Sequence, residues 1–102
     1  MIKTIQEQDG WVKVQLEGEI YFEEASIIRE KLIKYAESGC VYFDFDFSNV
    51  TSLDSSGLGV LTAIYKRAAQ HNGRVKISNP QGPVKEIFEF TKLDSLFEVE
   101  EN

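Results

Sequence analysis

The chain has 102 residues, 42% of them hydrophobic, which suffices for one core, and we expect a single domain over residues 1–102. Seventeen Asp and Glu against 11 Lys and Arg give a net charge of −6, and no basic run is present, so nucleic acid is not an expected partner. Cys40 is the only cysteine, which excludes a disulfide scaffold, and no apolar stretch approaches the ~18 residues needed to span a bilayer. These features predict a cytoplasmic protein without a membrane partner.

The first third of the chain predicts a hairpin and a helix. Apolar and polar residues alternate over residues 2–6 and 12–17, and the turn dipeptide Asp9-Gly10 separates the two runs. From about Glu23 to Ser38 apolar residues recur at helical spacing, and Gly39 follows where a helix would end.

Residues Val41 to Phe47 alternate with a period of two, which predicts the central strand. One face is strongly apolar, and Asp44 and Asp46 lie on the other. Two carboxylates on one face could indicate a metal site or a general acid and base pair. No third ligand or histidine lies nearby in sequence, so we favour a solvated or helix-capping face.

The second half alternates helices and short strands. After a connector over residues 48–54, a helical stripe runs to Asn72-Gly73, a pair suited to a left-handed helix exit. Val75 and Ile77 predict a short strand, Pro83 a helix start, and residues 96–99 a possible edge strand. The chain is therefore predicted to be α/β, with a mixed sheet of about four to five strands, an N-terminal antiparallel hairpin and helices mainly on one face.

The segment Asp54-Ser55-Ser56-Gly57-Leu58-Gly59 lies at the predicted start of the second helix. Asp54 suits the N-cap, and backbone N–H groups there favour an anion. Each glycine costs roughly 0.5–1 kcal/mol in a helix interior, and without Cβ atoms the first turn offers a smooth docking surface. A phosphate on Ser55 would add about −1.5 to −2 charges and could switch binding. The plainer interpretation is a helix N-cap with a flexible start.

The run DFSNVTSLDSSGLGVL, from Asp46 to Leu61, resembles the signature of STAS domains, specifically of bacterial anti-sigma-factor antagonists. The likeness extends over the chain through VQLEGEI, AAQHNGRVKISNP and VKEIFEFTKLDSLFEV. It implies a STAS-like fold and Ser55 as the phosphoacceptor. We predict a partner-binding surface of Asp54, Ser56, Gly57, Leu58 and Gly59, and we add Tyr21, which stands where family members have a residue near the partner surface.

The resemblance further implies partner switching. The unphosphorylated domain would bind an anti-sigma factor that is also a serine kinase, and a sigma factor would be freed. The kinase would phosphorylate Ser55 with ATP that it binds itself, and a separate serine phosphatase would restore the antagonist. No cofactor or metal is implied for this chain.

One position departs from the family pattern. Members commonly carry an aspartate after the GEI element, whereas this chain has Tyr21 followed by Phe22. The two aromatic side chains could contact a different partner, because aromatic residues are enriched at interface cores. They could equally pack on the first helix.

Other functions remain as alternatives. His71 is the sole histidine and lies far from Cys40 in sequence, so neither a catalytic triad nor a zinc site can be assembled convincingly, and we predict that the chain is not an enzyme. A STAS domain could instead be a constitutive scaffold or a transporter-associated subunit without phosphorylation. An aspartate-phosphorylating response regulator is disfavoured because the acidic pair expected after the first strand is missing.

Overall fold

The computed structural model describes residues 1–101, which form one five-stranded sheet and three helices. The elements in chain order are β1 (Ile2–Gln8), β2 (Trp11–Ile20), α1 (Phe22–Glu37), β3 (Tyr42–Leu53), α2 (Ser55–Gln70), β4 (Arg74–Ser78), α3 (Gly82–Phe90), a 3₁₀ turn (Leu93–Ser95) and β5 (Glu98–Glu100). The strand order is β1-β2-β3-β4-β5; β1 pairs antiparallel with β2, and the other pairs are parallel. None of the described helices has the length and apolarity needed to cross a membrane.

The predicted hairpin is present. Asp9 and Gly10 both have positive φ angles, 54° and 84°, which the type I′ turn between two strands requires. The alternation in β2 buries Val12, Val14 and Leu16 and leaves the residues between them toward solvent. The turn dipeptide and the period of two thus determine this part of the fold together.

The central strand is longer than the sequence pattern predicts. β3 continues through the predicted connector to Leu53, and its pairing with β2 shifts register twice, between Gln15 and Glu17 and between Gly18 and Glu19. These irregularities change the spacing of the buried residues from two to three, since Phe47, Val50 and Leu53 are the last buried positions. A strict period of two therefore does not detect the second half of the strand.

The core lies between the sheet and a single layer of helices. Phe43, Phe45 and Phe47 point from β3 into this layer and are at most 1% exposed. Their ring contacts continue to Phe88 of α3, with 5.7 Å between the ring centroids of Phe47 and Phe88, and on to Phe97. The α/β class, the hairpin and the helices on one sheet face are confirmed.

Gly57 allows the first turn of α2 to approach the sheet closely. A Cβ atom on Gly57 would lie 2.3 Å from Leu53 Cδ1 and 3.2 Å from the carbonyl oxygen of Ile20. Gly57 is buried, so its missing side chain serves internal packing and does not contribute to the docking surface predicted from the sequence. Gly59 differs, because it is exposed and, apart from its chain neighbours and the adjacent backbone of its own helix, no atom lies within 4 Å of the position of its Cβ.

We predict that alanine has opposite effects at the two glycines. Gly57→Ala should lower the free energy of unfolding by about 1–2 kcal/mol, because overpacking against Leu53 and Ile20 outweighs the better helix propensity of alanine. Gly59→Ala should raise it by roughly 0.5–1 kcal/mol, because alanine fits there without a clash. Urea denaturation of both variants measures the difference, and equal effects would contradict the close approach at Gly57.

The face of the sheet opposite the helices carries a polar network. Asp44 Oδ1 accepts a hydrogen bond from the Ser78 hydroxyl at 3.1 Å, and Asp46 Oδ1 accepts from the backbone N–H and hydroxyl of Ser48 at 2.9 and 2.7 Å. Partial burial acts to raise the pKa of Asp46, but the hydrogen bonds from Ser48 and Gln15 outweigh it and hold the pKa below its usual value. The two carboxylates therefore organise the sheet surface locally.

The lowered pKa of Asp46 predicts a stability contribution that depends on pH. Folding favours the ionised carboxyl, so this contribution is complete above the unfolded pKa of about 4 and is lost as pH falls through the lower folded pKa. Ser48→Ala removes one donor and should raise the pKa of Asp46, which ¹³C NMR titration of the carboxyl carbon measures. An unchanged pKa in that variant would show that the Ser48 hydroxyl is not responsible.

Candidate functional site

Two helices begin at the same edge of the sheet. β2 and β3 run parallel with Ile20 opposite Leu53, α1 starts at Phe22 and α2 at Ser55. The backbone N–H of Asp54 donates to the carbonyl oxygen of Ile20 at 3.3 Å, which ties the two strand ends together. The parallel pairing therefore brings the β2–α1 and β3–α2 connections side by side.

Asp54 caps α2, as predicted. Its backbone is extended, and its Oδ1 accepts hydrogen bonds from the backbone N–H groups of Ser56 at 2.9 Å and Gly57 at 3.2 Å. The carboxylate satisfies donors that the helix itself leaves unpaired and lies at the positive end of the helix dipole. The anion favoured at this terminus is thus the protein's own side chain.

Ser55 is the first residue of α2 and is exposed. Within residues 1–101 its hydroxyl makes no hydrogen bond to another residue. Of the neighbouring residues in the predicted surface, Gly59 is exposed, whereas Asp54, Ser56 and Leu58 are half-buried. The structure thus brings these five residues to one surface and places Gly57 beneath it.

Tyr21 lies at the same edge, where its side chain is held by Ser52, a residue that no sequence pattern indicated. Its hydroxyl donates to Ser52 Oγ at 2.9 Å, and the residue is 39% exposed. Phe22 is 70% exposed and so contributes little to packing on the first helix. Ser52 is 31 residues from Tyr21, and only the pairing of β2 with β3 brings the two side chains together. No local sequence signal could have identified this contact.

Acidic side chains surround the same edge. Glu19 is exposed near the end of β2, and Glu23 and Glu24 lie in the first turn of α1, where the helix dipole favours negative charge. Asp54 adds a fourth carboxylate at the start of α2. A phosphate on Ser55 would therefore enter a region that is already negative.

Cys40 and His71 are the two residues considered for enzyme chemistry. Cys40 is half-buried beside Glu7, with 3.6 Å between Sγ and Oε1, and burial together with the Glu7 charge raises the pKa of its thiol. His71 is exposed and follows the last turn of α2. Among residues 1–101 no three His, Cys, Asp or Glu side chains are close enough to hold a metal ion.

Comparison with known proteins gives relatives of two kinds. The chain is 27% identical over 95 residues to the anti-sigma-B factor antagonist of Bacillus subtilis strain 168, a match that covers 93% of this chain and 86% of the relative. It is 29% identical over 86 residues to sulfate transporter 3.1 of Arabidopsis thaliana, covering 74% of this chain but only 13% of the transporter.

A solved structure shares the fold. The phosphorylated form of the Bacillus cell fate determinant SpoIIAA superimposes with a TM-score of 0.76 at 21% identity, covering 97% of this chain and 88% of that one. At this level of identity the likeness concerns the fold alone.

The STAS domain family model matches residues 3–102, which is nearly the whole chain. The order of the elements agrees with the resemblance seen in the sequence. The chain belongs to the STAS domain family.

Proposed function

We propose that this chain is an anti-sigma-factor antagonist that acts by partner switching. The unphosphorylated form binds an anti-sigma factor that is also a serine kinase, and this binding frees a sigma factor. Phosphorylation of Ser55 releases the antagonist, and a serine phosphatase restores it. The kinase supplies the ATP, and this chain acts as a phosphorylation substrate and binding module rather than as an enzyme.

The position of Ser55 carries this proposal. Its hydroxyl is exposed on the first turn of α2, directly after the capping residue Asp54. The helix start is held by Asp54 and by the packing of Gly57, neither of which involves the Ser55 hydroxyl. A kinase can therefore modify Ser55 without breaking a hydrogen bond that holds the fold.

The charge of the phosphate explains how one modification could release a partner. The helix N-terminus attracts the phosphate, but Asp54 already occupies two of its N–H donors. The added charge of about −1.5 to −2 therefore acts mainly on the surface around Ser55, which already carries several carboxylates. An acidic partner surface that docks here would be repelled, and any partner would lose its contact with the unmodified serine.

The relatives support the same function. The match to the anti-sigma-B factor antagonist covers most of both chains, and the solved SpoIIAA structure is of a phosphorylated form. We also propose that residues 1–102 form a single domain. We further propose that the protein is cytoplasmic, since a sigma factor would be regulated in that compartment. The proposed partner surface consists of Asp54, Ser56, Leu58, Gly59 and Tyr21. Gly57 contributes indirectly, because it sets the position of the α2 backbone beneath that surface.

The match to a sulfate transporter favours a second candidate function. In that case the chain is a constitutive scaffold or a transporter-associated subunit that holds its partner through the same edge without phosphorylation.

The state of Ser55 in the native cell distinguishes the two functions. Intact-mass analysis of the purified protein with and without phosphatase, followed by fragmentation, locates any phosphate. A phosphate on Ser55 supports partner switching, whereas its absence in growth and in stress, together with a stable partner, supports the scaffold.

We predict graded effects of Ser55 substitutions on binding to the co-purified partner. Ser55→Ala should keep the fold and the affinity, whereas phosphorylation should weaken binding by roughly tenfold or more through charge repulsion. Ser55→Glu should weaken binding less, because a carboxylate carries about half of that charge. Titration calorimetry measures the affinities. Ser38→Glu adds the same charge beyond the other end of α1 and should have little effect; equal affinities for Ser55→Glu and Ser55→Ala would count against the switch.

We predict that the Tyr21 ring contributes more to partner binding than its hydroxyl. Tyr21→Phe removes only the hydrogen bond to Ser52 and should change the free energy of unfolding by less than about 1 kcal/mol, because the bond is exposed. Tyr21→Ala should weaken partner binding by roughly tenfold, as expected for an aromatic side chain at an interface. The Phe variant is the control for the ring, and unchanged affinity in Tyr21→Ala would place Tyr21 outside the interface.

A further inference from the structure

A groove of about 360 Å³ lies between α1 and α2, on the side of the two helices that faces solvent. Its surface is mostly apolar, with Ile33 of α1 and Val60 and Ala63 of α2 among the lining residues. Three cations also line it: Arg29 on α1 and Lys66 and Arg67 on α2. An apolar groove with cations on both sides is suited to an apolar ligand with acidic flanks.

The three cations of the groove lack acidic partners. Within residues 1–101 the ion pairs join Arg74 with Glu98, Lys76 with Glu100 and Lys85 with Glu101, and none reaches the groove. No acidic residue lies three or four positions before or after any of the groove cations. The Arg67 side chain is oriented toward α1 by a hydrogen bond that its Nη2 donates to the carbonyl oxygen of Ala36 at 3.4 Å.

The composition of α2 gives independent support. The chain has 17 acidic residues, yet none falls within the 16 residues of α2, whose sequence is SSGLGVLTAIYKRAAQ. Acidic residues on the exposed side of a helix next to Lys66 and Arg67 would normally add stabilising pairs. Their absence leaves a positive strip on a protein of net charge −6.

We propose that this groove binds an acidic amphipathic helix of a partner protein. Leucine-type side chains of that helix would lie on Val60 and Ala63, and its carboxylates would pair with Arg29, Lys66 and Arg67. Since α1 and α2 each have 16 residues, the groove can accept a helix of up to about four turns, or about 24 Å. The proposal does not rest on phosphorylation of Ser55.

A second copy of this chain fits the groove less well. Of the helices with acidic residues that a copy could offer, α1 already lines this groove through Arg29 and Ile33, and α3 has only nine residues and buries Val84 and Phe88 in its own core. Phe90 is 89% exposed and lies next to Glu89, but one aromatic side chain on so short a helix covers little of the groove. A lipid surface also fits poorly, because a bilayer is entered by protruding apolar side chains and Ala63 is short.

The test uses the full chain, ¹⁵N-labelled and unphosphorylated, and a synthetic helical peptide of about 16 residues with leucines along one face and glutamates on both flanks of that face. Saturable NMR shifts should map to Ile33, Val60, Ala63 and Lys66, and the affinity should fall as salt is raised. The same peptide with lysine in place of glutamate should not bind. No kinase or sigma factor enters this assay, so its result and that of the Ser55 phosphate analysis are independent.

Charge reversal at the groove provides the matched comparison. Lys66→Glu should weaken peptide binding by roughly three- to tenfold at low salt, whereas Lys13→Glu, which makes the same change on the open face of the sheet, should leave it within about twofold. Ala63→Glu should weaken it by about tenfold or more, because it places a carboxylate in the apolar lining.

Three results would overturn the proposal. The first is the absence of groove shifts at roughly 1 mM peptide, or equal binding of the lysine peptide. The second is a concentration-dependent oligomer in sedimentation that Ala63→Glu dissolves, which would assign the groove to a second copy. The third is binding to vesicles containing phosphatidylglycerol that Lys66→Glu abolishes, which would assign it to an anionic membrane.

Discussion

The contact between the first turn of α2 and the end of β2 sets the geometry on which the proposed site depends. Gly57 lies against Ile20 and Leu53 where a Cβ atom would clash, and the N–H of Asp54 donates to the carbonyl oxygen of Ile20. These interactions hold the start of α2 against the neighbouring strand. Because α1 follows that strand after a single residue, the same contact sets where Tyr21 lies relative to Ser55.

The parallel pairing of β2 and β3 explains why the candidate site lies at one edge. Helices that follow parallel strands begin at the same end of the sheet, so their dipoles and free N–H groups point toward the same region. In α2 the Asp54 carboxylate accepts hydrogen bonds from two of these N–H groups, so the Ser55 hydroxyl is not needed to cap the helix. A modification at Ser55 can therefore change surface charge while the aromatic core, built on Phe43, Phe45 and Phe47, stays unchanged.

Helix α2 carries two surfaces of opposite character. Its N-terminus lies among carboxylates, at Asp54 and at the first turn of α1, whereas its exposed side toward Arg29 carries Lys66, Arg67 and no acidic residue. A partner helix with acidic flanks would be attracted along the groove and repelled near its start. The charge at Ser55 could then change the affinity of such a partner, even though most of the partner's contacts would lie farther along α2.

Local patterns in the sequence were sufficient for the class of the fold and part of the site. The Asp9-Gly10 turn, the alternation of β2, the helical spacing of α1 and the capping position of Asp54 each depend on residues close in sequence, and each is present. Other features depend on contacts between distant segments. The tertiary structure alone decided the bulged extension of β3 to Leu53, the interior position of Gly57, the bond between Tyr21 and Ser52 and the groove between the helices. The physical reason is that the pairing of β2 with β3 joins residues about 31 positions apart, and no local periodicity records which of them will meet.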